Sequence, residues 1–253
     1  MITDGRPSAF LAIEGCFNFR DAGGWPTGDG RRMRTGLLYR SDDPIRLTVA
    51  GRCAVNDLGL RAVVDLRQAS QVERSPGFAE PSVTYLLPLV DRVIDIDAPP
   101  RLEEAADLAE LYEQMLERGA ESLVAAVEAV AVGVAEGPVL IHCAVGKDRT
   151  GMLVALIQAA LGVGLEAIAA EYTRSDGPSR ARRQAMIAAP LPDDPPVARS
   201  PELLWTAPGE AMVGFAGRAA ERHGSLTAWP LAIGVRPETV AALRAALLEP
   251  AVI

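Results

Sequence analysis

Residues His142 to Gly151 read HCAVGKDRTG and gather reactive side chains that the rest of the chain uses sparingly. One of the two histidines, one of the three cysteines and the only lysine, Lys147, fall within six consecutive positions, while all the other members of the 25 lysines and arginines are arginine. Arg149 stands six residues after Cys143, and Thr150 and Gly151 follow it. A thiol near a helix N-terminus and cations ionises with a pKa of roughly 3.5 to 7.5, which makes its sulfur a nucleophile at neutral pH. The planar fork of an arginine holds two phosphoryl oxygens at once. The Thr150 hydroxyl, beside that arginine, could donate to the sulfur. Cysteine, anion cradle and arginine together describe phosphoryl-transfer chemistry.

Two elements must position these groups. VLIH is a strand ending at Cys143, and MLVALIQAAL is apolar nearly all round, so it is a buried helix. Between them Ala144, Val145, Gly146 and Lys147 form a strand-to-helix loop. Such a loop aims successive backbone N–H groups and the positive end of a helix dipole into one small space, which suits a doubly charged oxyanion. Two rival readings fail on spacing. A nucleotide-binding G-x-x-x-x-G-K loop needs Ser or Thr after its lysine and a glycine at position 141, where this chain has Asp148 and Ile141. A zinc site is poorly supported because C-x-x-C spacing is absent and His142 and Cys143 project to opposite sides of a strand.

Further strand-like runs lie at Gly36 to Tyr39, Ala62 to Leu66, Val83 to Leu87 and Pro138 to His142. Helical patterns cover Leu47 to Asn56, Leu102 to Glu117, Ala120 to Ala135, Thr150 to Leu161, Leu165 to Tyr172, Arg180 to Ala188, Gly209 to Arg222 and Pro237 to Leu248. Strands alternating with helices predict an α/β chain with a central, mostly parallel sheet covered on both faces. With 253 residues and 49% apolar content, a single domain over 1–253 is expected. The pair of helices between 102 and 135, preceded by a polar, proline-containing stretch, is either ordinary packing or a lid-like insertion over about 92–135, and packing is the default.

A formal charge of −8 argues against nucleic acid or an anionic membrane as a whole-surface partner. Three scattered cysteines cannot form a disulfide framework, which favours a reducing cytoplasm. The N-terminus shows no basic and apolar signal-peptide pattern, and no apolar run is long enough to span a bilayer, so a soluble, cytoplasmic protein is expected, with export by a non-classical route left open. The sequence is silent on oligomeric state.

H-C-x5-R-T-G is the signature of cysteine-dependent phosphatases, and this loop resembles that of the bacterial protein-tyrosine phosphatase B and lipid phosphatase family. NFRDAGG at Asn18 to Gly24, GLLYRSD at Gly36 to Asp42, VVDLR at Val63 to Arg67 and EYTRS at Glu171 to Ser175 resemble the family's other blocks in order. The resemblance implies a three-layer cysteine-phosphatase fold and a phosphomonoesterase without metal or cofactor, acting on phosphotyrosine proteins and on phosphoserine, phosphothreonine or phosphoinositides. It implies in-line attack by Cys143, stabilisation by Arg149 and the loop amides of residues 144–147 and Thr150, and a phosphocysteine intermediate. Familiar tyrosine phosphatases draw their acid from a Trp-Pro-Asp loop, but here Thr27 and Leu231 follow the two Trp-Pro pairs. The resemblance assigns the acid to Asp148, with Asp21 and Asp65 as runners-up. Lys147 is expected at the pocket mouth, where its charge would favour substrates with more than one phosphate.

Other residues carry open readings. Cys16 and Cys53 read as small buried hydrophobes, His142 as a loop-orienting residue rather than a base, and His223 as a solvated helix-end cation. Arg20 and Asp21 are either an exposed turn or pocket residues, and Asp65 and Arg67 are pocket residues or an internal salt bridge. The arginines of SRARRQ read as a solvated helix face. Two other functions stay in view: a catalytically silent phosphate-binding module, and a thiol-based reductase, which would need a resolving cysteine near Cys143.

Overall fold

The computed structural model describes residues 10–75, 77–78, 83–89, 102–191, 197 and 200–250. Five strands form the main sheet: β1 (Arg20–Asp21), β3 (Leu38–Ser41), β4 (Ala62–Asp65), β5 (Val83–Leu86) and β6 (Val139–His142). Their order is β1-β3-β6-β4-β5, parallel throughout except for β1, which runs antiparallel to β3. A second, two-stranded sheet pairs β2 (Arg31–Met33) with β7 (Leu248–Pro250). The expected α/β architecture with a mostly parallel centre is therefore present. β1, β2 and β7 escape the sequence reading because two or three residues are too few to show a period of two.

The central strand sorts its side chains by alternation. Leu140 joins Ile13, Phe19, Val55 and Val63 in one buried cluster, whereas Val139, Ile141 and Cys143 belong to a larger cluster. That larger layer is built on α4 (Asp148–Leu161), in which every residue from Arg149 to Leu161 is buried. Burying each of its leucine or isoleucine side chains is worth roughly 1.5–3 kcal/mol. The helix stops at Gly162, whose φ of 89° adopts the left-handed conformation of a C-terminal cap.

Around α4 pack α3 (Ala105–Glu136), α5 (Leu165–Thr173), α8 (Ala228–Ala232) and α9 (Pro237–Leu247), with α7 (Gly209–His223) against α3 and α5. The patterns at 102–117 and 120–135 appear as the one helix α3, with non-helical dihedrals at Gly119 marking the junction between them. Its buried side chains run from Leu108 to Val134, so it is part of the core. The remainder of the expected lid-like insertion, 92–101, lies outside the described residues. The opposite face carries α1 (Val49–Asn56), and the short α2 (Ala69–Arg74) follows β4. α6 (Asp176–Ala188) and a 3₁₀ turn at Glu202–Trp205 lie together.

No helix among the described residues is long and apolar enough to cross a membrane.

Candidate active site

β6 ends at the carboxyl edge of the sheet, between β3 and β4, which is where open parallel sheets present their ligand crevices. Cys143 follows at once and α4 begins five residues later at Asp148. Cys143 is 2% exposed, and the Gly146 N–H donates to its sulfur at 3.3 Å.

The loop backbone is tied from outside, carbonyl by carbonyl. Ala144 O accepts from the Asp43 N–H at 3.2 Å, and Val145 O and Gly146 O accept from Asn18 Nδ2 at 3.3 and 2.9 Å. Arg40 Nη2 donates to Gly146 O at 2.6 Å and to Lys147 O at 3.4 Å. Carbonyls drawn outward leave the peptide N–H groups to face the other way, toward the thiol. Gly146 sits at φ +70° with its α-carbon packed on β3, so that a side chain there would place a Cβ 2.4 Å from Ser41 O. Only glycine satisfies both demands.

Behind the loop lies a buried charge cluster. Glu171 accepts from Arg20 Nε at 2.9 Å and from Arg40 Nη1, and Arg20 Nη2 reaches Glu171 O and Ser175 Oγ at 3.1 and 3.0 Å. Burial works to raise the Glu171 carboxyl, yet Arg20 and Arg40 outweigh it and hold it below the usual carboxylate range. Burial and the neighbouring Arg40 bring Arg20 down to about 9. Arg20 is thus a fully buried brace, neither an exposed turn nor a pocket wall. A second brace joins Arg182 to Asp42 at 2.6 Å and to Asp43 at 2.7 Å, while Asp42 Oδ1 caps the Phe17 and Asn18 amides. Arg182 is 4% exposed, which corrects the reading of SRARRQ as a solvated face at this one arginine, since its two carboxylate partners come from a segment about 140 residues away in sequence; Arg180 is exposed as that reading has it.

Asp21 accepts the Gly23 and Gly36 amides and so caps a turn; burial raises its carboxyl. Asp65 and Arg67 form an internal, doubly hydrogen-bonded salt bridge, with Arg67 Nη2 2.7 Å from Asp65 Oδ2. Burial pushes the Asp65 carboxyl upward, but the Arg67 hydrogen bonds prevail and lower it. Both runner-up acids are engaged in structural roles.

His142 is fully buried, stacked edge-on against Phe78 with centroids 5.1 Å apart, and its Nε2 lies 3.5 Å from Asp65 Oδ2. Neither ring nitrogen makes a hydrogen bond of ordinary geometry among the described residues, while the Cys143 backbone at the start of the loop acts on the ring as a hydrogen-bonding neighbour. Burial brings it down to about 4, so it is neutral at physiological pH.

Arg149 Nη1 donates to Leu66 O at 3.0 Å and to Gln71 Oε1 at 3.1 Å. The end of β4 and α2, a helix the sequence did not announce, therefore orient the guanidinium. Thr150 Oγ1 is buried without a partner among the described residues and does not donate to the Cys143 sulfur as expected.

Lys147 overturns its expected place at the pocket mouth. It is 0% exposed, and its ammonium donates to Leu204 O and Thr206 O, each at 2.9 Å, and to Leu203 O at 3.4 Å, while standing 3.1 Å from Asp148 Oδ1. Three carbonyls from the turn around 202–206 accept the hydrogen bonds of the buried ammonium, and Asp148 supplies the opposite charge beside it. The same turn seats Trp205 with Met186 and Val197, against which Val145 packs.

Asp148 opens α4, where the helix dipole favours an acidic side chain, and its side chain is 21% exposed. Tyr112, on α3, donates to Asp148 Oδ1 at 2.6 Å. The structure thus assembles Cys143, Asp148 and Arg149 on one short segment and surrounds them with Asn18, Arg40, Gln71, Tyr112 and Glu171, which site prediction missed. Asn18, Arg40 and Glu171 lie within the NFRDAGG, GLLYRSD and EYTRS blocks, whose shared destination is the back of the loop. All three cysteines are free; Cys16 is half-buried and packs against the cluster of Ile13, Phe19 and Leu140, whereas Cys53 is exposed and not the buried hydrophobe expected.

Comparison with known proteins is consistent with this geometry. The family model described as the tyrosine phosphatase family matches residues 11–249. The triple specificity protein phosphatase PtpB of Mycobacterium tuberculosis is 30% identical over 95% of this chain and 99% of its own. A protein of Cupriavidus necator named for tyrosine-protein phosphatase activity is 36% identical over 70% of this chain and 67% of its own. Among solved structures, TpbA of Pseudomonas aeruginosa aligns at 21% identity over 57% of this chain and 72% of its own, with a TM-score of 0.31. With its family's match running almost from end to end and a curated relative aligned over nearly its whole length, the chain belongs to the tyrosine phosphatase family.

Proposed function

We propose that this protein hydrolyses phosphomonoesters through a phosphocysteine intermediate, with phosphotyrosine in proteins as its main substrate class. The observation that carries this reading is the Cys143 sulfur under the Gly146 N–H at the mouth of α4, in a loop whose carbonyls are all tied away from it. The Cys143 thiolate attacks phosphorus, the P–S bond forms as the P–O ester bond breaks, and Asp148 gives its proton to the departing oxygen. Arg149 and the loop amides take up charge on the three equatorial oxygens. Water then attacks the phosphocysteine, Asp148 receives its proton, and the thiolate and inorganic phosphate are released.

The M. tuberculosis relative is named for three specificities, which supports activity on phosphoserine, phosphothreonine or phosphoinositides beside phosphotyrosine. Since the Lys147 ammonium is occupied by three carbonyls, preference for multiply phosphorylated substrates rests on other groups.

The test is hydrolysis of p-nitrophenyl phosphate with EDTA present, for wild type and Cys143→Ser, followed by phosphotyrosine peptides and phosphoinositides. Turnover that survives the chelator and disappears in Cys143→Ser is expected. Turnover retained by Cys143→Ser refutes the cysteine mechanism. An inactive wild type would point to a phosphate-binding module.

A further inference from the structure

Tyr112 and Tyr172 are buried tyrosines from helices distant in sequence, and their hydroxyl oxygens lie 2.6 Å apart. A phenol has one proton to give. Tyr112 donates its proton to Asp148 Oδ1 at 2.6 Å, so the contact between the tyrosines is made by the Tyr172 proton. A directed chain results, Tyr172 to Tyr112 to Asp148. Burial, and after it the charge of Asp148, raises both phenols well above their usual range, so both remain donors wherever an enzyme of this kind works.

The rings are fixed as firmly as the hydroxyls. Tyr112 meets Tyr172 edge-on at 6.1 Å and Phe215 of α7 at 5.8 Å. The Tyr172 ring lies against Gly151 so closely that a Cβ there would fall 3.0 Å from it. The glycine of the R-T-G run thereby admits the second tyrosine of the chain. The Lys147 ammonium, with its three N–H bonds directed to carbonyls, stands 3.1 Å from the same oxygen of Asp148 as an ion-pair partner. Tyr112 is thus the hydrogen-bond donor that holds Asp148 Oδ1.

We infer that Tyr112, oriented by Tyr172, is a positioning residue for Asp148: by engaging Oδ1 it leaves Oδ2 as the oxygen that carries the transferable proton. The inference rests on the proposed role of Asp148 as the acid. In the first step the Oδ2–H bond breaks, its proton joins the leaving-group oxygen as the ester bond breaks, and the resulting carboxylate stays anchored through Oδ1. In the second step Oδ2 receives a proton from the attacking water. A carboxyl fixed by one oxygen delivers from the other along a fixed line, which is where positioning contributes to rate.

The experiment compares kcat/KM for p-nitrophenyl phosphate and phenyl phosphate across pH in wild type, Asp148→Asn, Tyr112→Phe and Tyr172→Phe. The charged and titratable groups facing this chain are Lys147 from the loop, Asp148 from α4, and Arg40 and Asp176 beside Tyr172. Tyr112→Phe is expected to raise the ratio of p-nitrophenyl to phenyl activity about tenfold, the worth of one hydrogen bond to a charged group. Loss of a donor to the carboxylate also moves the alkaline limb of the profile to higher pH, and Tyr172→Phe moves it the same way by less. In the Asp148→Asn background Tyr112→Phe is expected to leave the ratio where Asp148→Asn put it. Equal losses on both substrates in Asp148→Asn would overturn the acid assignment, and this inference with it. A leaving-group effect in Asp148→Asn, with neither a ratio change nor a limb shift in Tyr112→Phe, would overturn the positioning role alone. Should Tyr112→Phe fail to fold by circular dichroism, an unmoved alkaline limb in Tyr172→Phe overturns the chain.

Discussion

His142 makes the stability of this fold depend on acid in a calculable way. The imidazole is completely buried against Phe78, faced by Asp65, Arg67 and Asp43, and burial takes its pKa from 6.5 to about 4. A base whose pKa is lower in the folded than in the unfolded chain binds fewer protons when folded. Its contribution is therefore complete above pH 6.5 and is lost as the pH falls toward 4. The full difference corresponds to about 3 kcal/mol, of which about 2 kcal/mol is already lost at pH 5. The assay is urea denaturation of wild type and His142→Asn at pH 7.5 and pH 5. The variant is expected to start less stable, since Asn fills the site poorly, but to lose about 2 kcal/mol less than wild type between the two pH values. Equal losses in the two proteins would refute the claim that His142 is held neutral by burial.

Three further outcomes follow from the loop and its braces. Arg149→Lys removes the fork that Leu66 O and Gln71 orient, and is expected to lower kcat on p-nitrophenyl phosphate by about 10²–10³-fold, with circular dichroism unchanged; a loss under threefold would mean the guanidinium does not hold the phosphoryl group. Gly146→Ala forces a Cβ against Ser41 O and a side chain into left-handed backbone, a strain of about 1–2 kcal/mol before any steric clash, so both the urea midpoint and kcat/KM should fall; an unchanged variant would show the loop to be pliant. Arg40→Met strips a charged donor from Gly146 O and Glu171, leaving Glu171 with Arg20, and should destabilise the fold by about 3–5 kcal/mol in the same denaturation assay, whereas a loss below about 1 kcal/mol would show the buried cluster to be dispensable.

What could be read from the sequence was the chemistry that is local in it. Cys143, Arg149 and the buried helix after them occupy a single short run, so spacing carries their reading, whereas the role of Asp148 in the same run came with the family resemblance. The strands β4, β5 and β6 were legible for the same reason, as compact apolar runs. β3 was placed two residues early because Arg40 and Ser41 look like the polar end of a strand. They are buried in it, since Glu171, Ser175 and the loop carbonyls satisfy the arginine. The pairings that set the loop's shape join residues more than a hundred positions apart, such as Asn18 with Gly146 and Arg20 with Glu171, and no periodicity encodes them. Lys147 shows the limit most clearly: its type was informative and its direction was not, because the carbonyls that receive it come from residues 203–206.

The burial of that lysine has a use. It is the only side-chain amine in the sequence, and in the folded chain it is wholly enclosed beneath the turn at 202–206. Amine-acylating reagents and a lysine-directed protease therefore have one side-chain target, and they reach it only when the turn lifts from the loop. The rate of acylation at residue 147 is a clock for that opening, with no background from any other side chain. Run with and without inorganic phosphate, it times how firmly an anion in the cradle closes the protein over its own catalytic loop.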